Sequence, residues 1–185
     1  MSGINKRIGA FKCFTRAHFS ILKEMLTIKL YIKEKAFSLN DKFAVWDDQG
    51  KDKYTVQGEI LSFGKKLHVY NCREEEVALI KQNIFSFTPQ FNIFVNGQQI
   101  ATVRKLSINY TKQNYVINDL DWNVKGNYWF HNYRVVKNEN NIATIAKTPT
   151  IWGDCYEIDV VDSANEIAVL AIALIIDCVQ DANNR

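Results

Sequence analysis

The chain has 185 residues, of which 47% are hydrophobic and 12% aromatic, with only two prolines and eight glycines. That length supports one domain with a sizeable core, and the composition excludes a disordered or low-complexity polypeptide. The net charge of +3 is misleading: five basic residues, Lys6, Arg7, Lys12, Arg16 and Lys23, stand among the first 25 against Glu24 alone, so the remainder is close to neutral and no broad nucleic-acid surface is expected.

Residues 1–24 differ in character from the rest of the chain. They are basic and lack strand alternation, and they show neither the compact apolar stretch nor the cleavage site of a secretory signal. Two readings stay open: an extension caused by a start codon placed ahead of Met25, or a basic amphipathic anchor. Residues 25–182 are expected to form a single domain.

From Leu26 to Asp162 the sequence reads as strands joined by short turns. Leu26–Tyr31 alternates Leu and Ile with Thr and Lys. Lys42–Trp46 and Lys53–Ile60 flank Asp47-Asp48-Gln49-Gly50, a hairpin signal. Lys66–Asn71 and Glu76–Phe87 come next, and Pro89 starts a new element. Phe91–Val95 and Gln99–Lys105 flank Asn96-Gly97, a dipeptide whose two residues both accept the positive φ of a tight hairpin turn. Ser107–Tyr110 and Tyr115–Asn118 are shorter strands. Trp122–Val124 and Tyr128–Lys137 read as a pair or as one bent strand around Gly126. Ile142–Thr148 and Tyr156–Val161 complete the set, with Trp152-Gly153-Asp154 expected to be a tight turn in which Asp154 bonds its own backbone.

The last element is a helix. Ile167 to Ile176 are ten consecutive apolar residues, and at 100° per residue their bulky side chains leave an arc of only roughly 100° uncovered. Glu166, Ala173 and Asp177 share that arc. Ser163 is expected to be the N-cap, with Glu166 three residues later completing a capping box. Ten apolar residues make roughly 15 Å of helix against a bilayer core of about 30 Å, so no transmembrane span is expected. Asp177 stands where an acid meets an unfavourable dipole, so a role in capping strand-end amides or in meeting Lys147 or Arg134 is expected.

A helix that is greasy on every side must be buried on every side. One open sheet covers only one flank. A closed antiparallel barrel of about twelve strands is wide enough to hold a helix about 10 Å across, where eight strands leave room for side chains alone. The expected fold is therefore mainly β, a barrel threaded by its own C-terminal helix.

The sequence also resembles a known family. The stretch IATIAKTPTIWGDCYEIDVVDSANEIAVLAIALIID is similar to the C-terminal signature of LURP-one-related proteins, which belong to the tubby C-terminal-like superfamily together with the phospholipid scramblases. Its matching features are Ile142-Ala143-Thr144-Ile145 with Lys147, then Trp152-Gly153-Asp154 with Tyr156, then Ile158-Asp159-Val160, and the helix up to Asp177. FSLNDKFAVWDDQG at Phe37–Gly50, Tyr54-Thr55-Val56-Gln57-Gly58 and GKKLHVYN at Gly64–Asn71 resemble bacterial members. The resemblance implies a twelve-stranded barrel around a hydrophobic helix. Tubby proteins bind phosphoinositide headgroups through basic barrel residues, but this sequence has no clear counterpart of their lipid-binding motif.

Candidate site residues are few. Lys65 and Lys66, after Gly64, and Arg104 and Lys105, ending a strand, are the pairs able to grip phosphate. Tyr128, Trp129, Phe130, His131 and Tyr133 form an aromatic cluster that serves either as barrel lining or as a ligand pocket. The run Glu74-Glu75-Glu76 reads as a solvated loop. Four cysteines at 13, 72, 155 and 178 form no CxxC pair and read as free thiols in a reducing compartment. His68 and Cys72 have no second pair, so no metal is expected, and no cofactor either. Cys155 with His131 lacks the spacing of a thiol catalyst. The expectation is a non-enzymatic, cytoplasmic binding or scaffold protein, peripheral at a membrane if it engages anionic lipid headgroups. The alternatives are an enzyme or small-molecule binder using a pocket at a barrel end, and a nucleic-acid or transcription partner.

Overall fold

Strand alternation sorts the side chains of this chain into two sets, and the sorting dictates closure. The computed structural model describes residues 27–33, 42–59, 63–106, 112–127, 131–150 and 153–183. Twelve strands run in order: β1 (Ile28–Lys33), β2 (Lys42–Asp47), β3 (Asp52–Gly58), β4 (Lys66–Asn71), β5 (Glu76–Gln82), β6 (Gln90–Val95), β7 (Gln98–Lys105), β8 (Lys112–Asn118), β9 (Trp122–Asn127), β10 (Asn132–Lys137), β11 (Asn140–Thr150) and β12 (Gly153–Val160). Each pairs antiparallel with its sequence neighbours, and β1 pairs with β12 to close a barrel. At that seam Lys29 bonds the carboxylate of Glu157 and lies 3.2 Å from Asp159.

One face of every strand points inward. Leu30, Val45, Val56, Val69, Ile80 and Ile93 are among the fully buried residues that join a single core with the helix. Helix α1 (Glu166–Asn183) fills the interior: from Ala168 to Val179 every residue except Asp177 is buried. Asp177 is half-buried on the polar stripe it shares with Glu166 and Ala173. The expected barrel around an apolar helix is the observed architecture.

The helix start differs from the reading of the sequence. Asp162, not Ser163, is the N-cap, its carboxylate accepting the Ala164 N–H at 3.0 Å. It caps a short 3-10 turn, Ser163–Asn165, which delays the α-helix to Glu166. Glu166 therefore does not close a capping box. At the first α-helical position it suits the dipole, and it turns to the wall, accepting the Tyr54 hydroxyl at 2.9 Å and meeting the Lys53 ammonium at 2.7 Å.

The helix end differs too. Cys178, Val179 and Gln180 are buried, so packing carries the helix to Asn183 and leaves Asp177 well inside it. The helix is long and apolar enough, by length and composition, to cross a membrane, but in this fold its apolar surface faces the barrel. Arg134 is exposed on the outer wall, between inward Tyr133 and Val135, so it is not a partner for Asp177.

Other boundaries shift for local reasons. Beta pairing carries Gly153 and Asp154 into β12 opposite Thr150 and Pro149, so they are strand rather than turn residues; Trp152 lies outside the described residues. β5 stops at Gln82, not Phe87, because Asn83 accepts the Phe85 N–H on its side-chain oxygen at 3.1 Å and bends the chain away. Asn96 and Gly97 have φ of 49° and 78°, the hairpin turn their sequence predicts. Ser107–Tyr110 and Tyr128–Phe130 lie outside the described residues. Gly126 sits in β9, directly opposite Tyr133, whose ring covers the glycine.

A Cβ at Gly126 would overlap Cδ1 of the Tyr133 ring. Gly126→Ala should therefore cost about 1–3 kcal/mol in urea unfolding, with Tyr133→Ala in the same chain relieving that increment. Burial pushes the Cys178 thiol up to about 12 from 9.0 and raises the Tyr54 and Tyr115 hydroxyls above 10.0. The folded state holds protons that the unfolded chain has released, so their contribution is complete below those ordinary values and is lost as pH rises. The urea midpoint should fall progressively above about pH 9.

Candidate functional site

Antiparallel strands put alternate loops at opposite ends of the barrel. The proximal end, where helix α1 begins against Lys53 and Tyr54, carries the β2–β3, β4–β5, β6–β7, β8–β9 and β10–β11 turns. The distal end, where the helix finishes, carries the β3–β4, β5–β6 and β7–β8 loops. Both basic pairs singled out in the sequence fall at the distal end, but they do not form one cluster. β5 and β6 separate β4 from β7, three strand spacings or about 14 Å.

Within each pair, alternation splits the roles. Lys65 points inward and donates to the Cys178 carbonyl at 3.1 Å, with the Asp181 carboxylate 3.7 Å away. It caps the carbonyl end of the helix, where a cation is favoured. Lys66 points outward and bonds both carboxylate oxygens of Glu59 at 3.0 Å, which holds Glu59 below its ordinary range. Arg104 is exposed on the outside. Lys105 is half-buried at the rim, where burial lowers the pKa of its ammonium. Between the pairs, the Lys81 ammonium stands 5.1 Å over the Phe94 ring.

The distal end also contains a polar cluster that sequence reasoning missed. Gln180, 3% exposed, donates to the Tyr133 hydroxyl. Its carbonyl oxygen accepts from the Tyr156 hydroxyl at 3.0 Å and lies 3.0 Å from His131 Nδ1. His131 adopts φ 45° and its ring meets Tyr156 edge-on. This cluster ties the last helical turn to β10 and β12. Gln180 reads as polar tail in the sequence; the apolar Cys178-Val179 after Asp177 was the signal that the helix continued.

His131 joins the Gln180 cluster inside the barrel. Cys155 is buried on the outer wall, beside a groove of about 470 Å³ lined by Tyr31, Trp46, Asp47, Pro149 and Glu157. Of its acids, Asp47 accepts the Gln49 and Lys51 amides and Glu157 holds Lys29, while Asp48 is exposed at the mouth. His68 bonds Glu76 at 2.6 Å, and Glu74 and Glu75 are exposed in the β4–β5 turn. Among the described residues no three His, Cys, Asp or Glu side chains gather as metal ligands.

Charge is polarised along the barrel axis. Proximal turns carry exposed Asp48, Glu74, Glu75, Asp119, Asp121 and Glu139, which outnumber exposed Lys51, Arg73 and Lys137 there. Distal strand ends carry Lys33, Lys42, Lys65, Lys66, Arg104 and Lys105, while two distal acids, Glu59 and Asp181, each face a lysine. A near-neutral body thus hides a basic end and an acidic end.

Comparison with known proteins gives a consistent result. The family described as LURP-one-related matches residues 28–177. A Bacillus subtilis (strain 168) protein described as the uncharacterized protein YxjI is 27% identical over 152 residues, 82% of this chain and 93% of that protein. An X-ray structure of a protein from Arabidopsis thaliana matches with a TM-score of 0.57 at 18% identity, covering 86% of this chain and 92% of that one; this likeness shows the fold. Gln180→Leu should leave buried Tyr133 and Tyr156 hydroxyls short of partners and cost about 1–3 kcal/mol, measured by urea unfolding.

Proposed function

From the premise that the chain belongs to the LURP-one-related family, we propose that it is a non-enzymatic binding module whose distal end docks on an anionic lipid surface. The observation that carries this reading is the polarised charge. Strands of six to eight residues separate the ends by roughly 20–25 Å at 3.3 Å per residue. Screening acts over about 8–10 Å at ordinary ionic strength. A surface approached by the distal end therefore feels the lysines and little of the acids, and each basic residue near such a surface contributes about 1 kcal/mol. Net charge, summed over both ends, conceals this attraction.

Chemistry on bound small molecules has less support. The helix fills the barrel interior, Lys65 is held by the helix end, and the Cys178 thiol is buried and protonated. Arg104 and Lys105 are the candidate residues best placed to meet phosphates, with Lys66 doing so in competition with Glu59; Lys105 acts from a half-buried rim position where a phosphate would restore the stability of its charge. Cations about 14 Å apart are too far for one phosphoinositide-like headgroup to bridge and suit the many phosphates of an anionic surface.

The test is flotation of the full chain with vesicles of phosphatidylcholine alone or mixed with phosphatidylglycerol. Binding should require the anionic lipid and weaken with salt. Lys66→Glu and Arg104→Glu should each lower affinity at least about fivefold, given about 1 kcal/mol per basic residue, while Asp48→Asn at the other end should not lower it. Failure to float with anionic vesicles at low salt sinks the reading.

A further inference from the structure

The large hydrophobic side chains exposed among the described residues are Phe63 (90% exposed), Ile84 (45%), Phe85 (91%), Phe87 (109%) and Leu106 (52%). All five stand in three distal loops: β3–β4, β5–β6 and β7–β8. Those loops connect strands adjacent in the barrel, so the five residues form one arc, an apolar crown, on the distal rim. The described proximal turns present no such side chain.

The arc is held in place by backbone and side-chain contacts. Gly64, at φ 81°, brings the β3–β4 loop so close to the β5–β6 loop that a Cβ would lie 2.6 Å from Ile84 Cγ2. The Phe85 N–H is fixed by Asn83 and the Ser86 hydroxyl by Gln90. The Lys105 N–H donates to the Pro89 carbonyl and the Leu106 N–H to the Asn114 carbonyl. Phe85 and Phe87 are therefore exposed on a loop held in shape, with Phe63 beside Gly64 next to it, at the basic end and beside Lys66, Arg104 and Lys105. Aromatic and aliphatic tips rimmed by lysine and arginine match the layering of a bilayer, with headgroup phosphate outside and hydrocarbon below.

We propose that the Phe63, Phe85 and Phe87 loops insert into the acyl boundary of an anionic bilayer while the flanking cations engage headgroup phosphates. The proposal deepens the docking reading and rests on it: it makes the attachment a penetration and not a purely electrostatic contact. Charge selects the bilayer over a second copy of the chain as occupant, because crown-to-crown pairing would set the basic flanks of two copies against each other.

The experiment compares the full chain with the triple variant Phe63→Ser, Phe85→Ser and Phe87→Ser. All three side chains are solvent-exposed, and circular dichroism checks that the variant folds. Vesicle flotation is read at low and high salt, and surface pressure on a phosphatidylglycerol monolayer is read alongside. The parent chain should raise the surface pressure and keep part of its vesicle binding in high salt. The variant should raise it little and bind at low salt only, with affinity reduced on the order of tenfold per ring removed. Equal insertion and equal salt resistance in the two proteins overturns insertion and leaves electrostatic docking standing. Equal binding to neutral and anionic vesicles, lost in the variant, overturns the electrostatic reading and keeps the crown. A parent dimer in light scattering that the variant dissolves assigns the crown to self-association and overturns the proposal.

Discussion

An apolar helix with only one narrow polar stripe is the constraint on which this structure depends. From Val169 to Ile176 each residue is at most 5% exposed, which one sheet face cannot achieve. Closure is the consequence: β1 must reach β12, and the Lys29 clamp on Glu157 lies across that seam. The clamp is partly exposed, so the backbone ladder and the buried Leu30, Ile32, Ile158 and Val160 carry most of the closure. An exposed ion pair contributes only about 0–1 kcal/mol.

Much of this was legible in the sequence. Period-two alternation marks most strands, Asn96-Gly97 marks a hairpin, and the gap of roughly 100° in the apolar run identifies the stripe of Glu166, Ala173 and Asp177. Boundaries were less legible where a side chain competes with the backbone. Asp162 captures the Ala164 amide and inserts a 3-10 turn before the helix. Asn83 captures the Phe85 amide and ends β5, although Ile84, Phe85 and Phe87 continue an apolar pattern suited to a strand. Those residues look like core on pattern alone. Their exposure results from an Asx turn that pattern does not register.

The candidate site was legible residue by residue but not as a surface. Lys65, Lys66, Arg104 and Lys105 stand out as pairs, yet neighbours on a strand face opposite ways. Each pair therefore divides into an inward and an outward member. Lys65 becomes part of the helix terminus, and Lys66 reaches the surface. The polarity of charge emerges only when turns are counted, because each added strand reverses the end to which the next loop belongs. Summing charge over the chain erases that information.

A filled barrel also restricts where binding can take place. The interior is packed with α1, and a closed sheet leaves no edge strand open to a partner. Recognition is left to the outer wall and the two rims. Two acids of the wall groove, Asp47 and Glu157, hold turn amides and Lys29, and the exposed acids of the proximal rim surround no large apolar side chain among the described residues. At the distal rim cations and exposed rings occur together, and the β5–β6 loop is held by hydrogen bonds, so in the docking proposed above a surface that settles there need not order that loop first. That preorganisation lowers the entropic cost of attachment and makes the distal rim the part of this molecule best suited to contact something larger than itself.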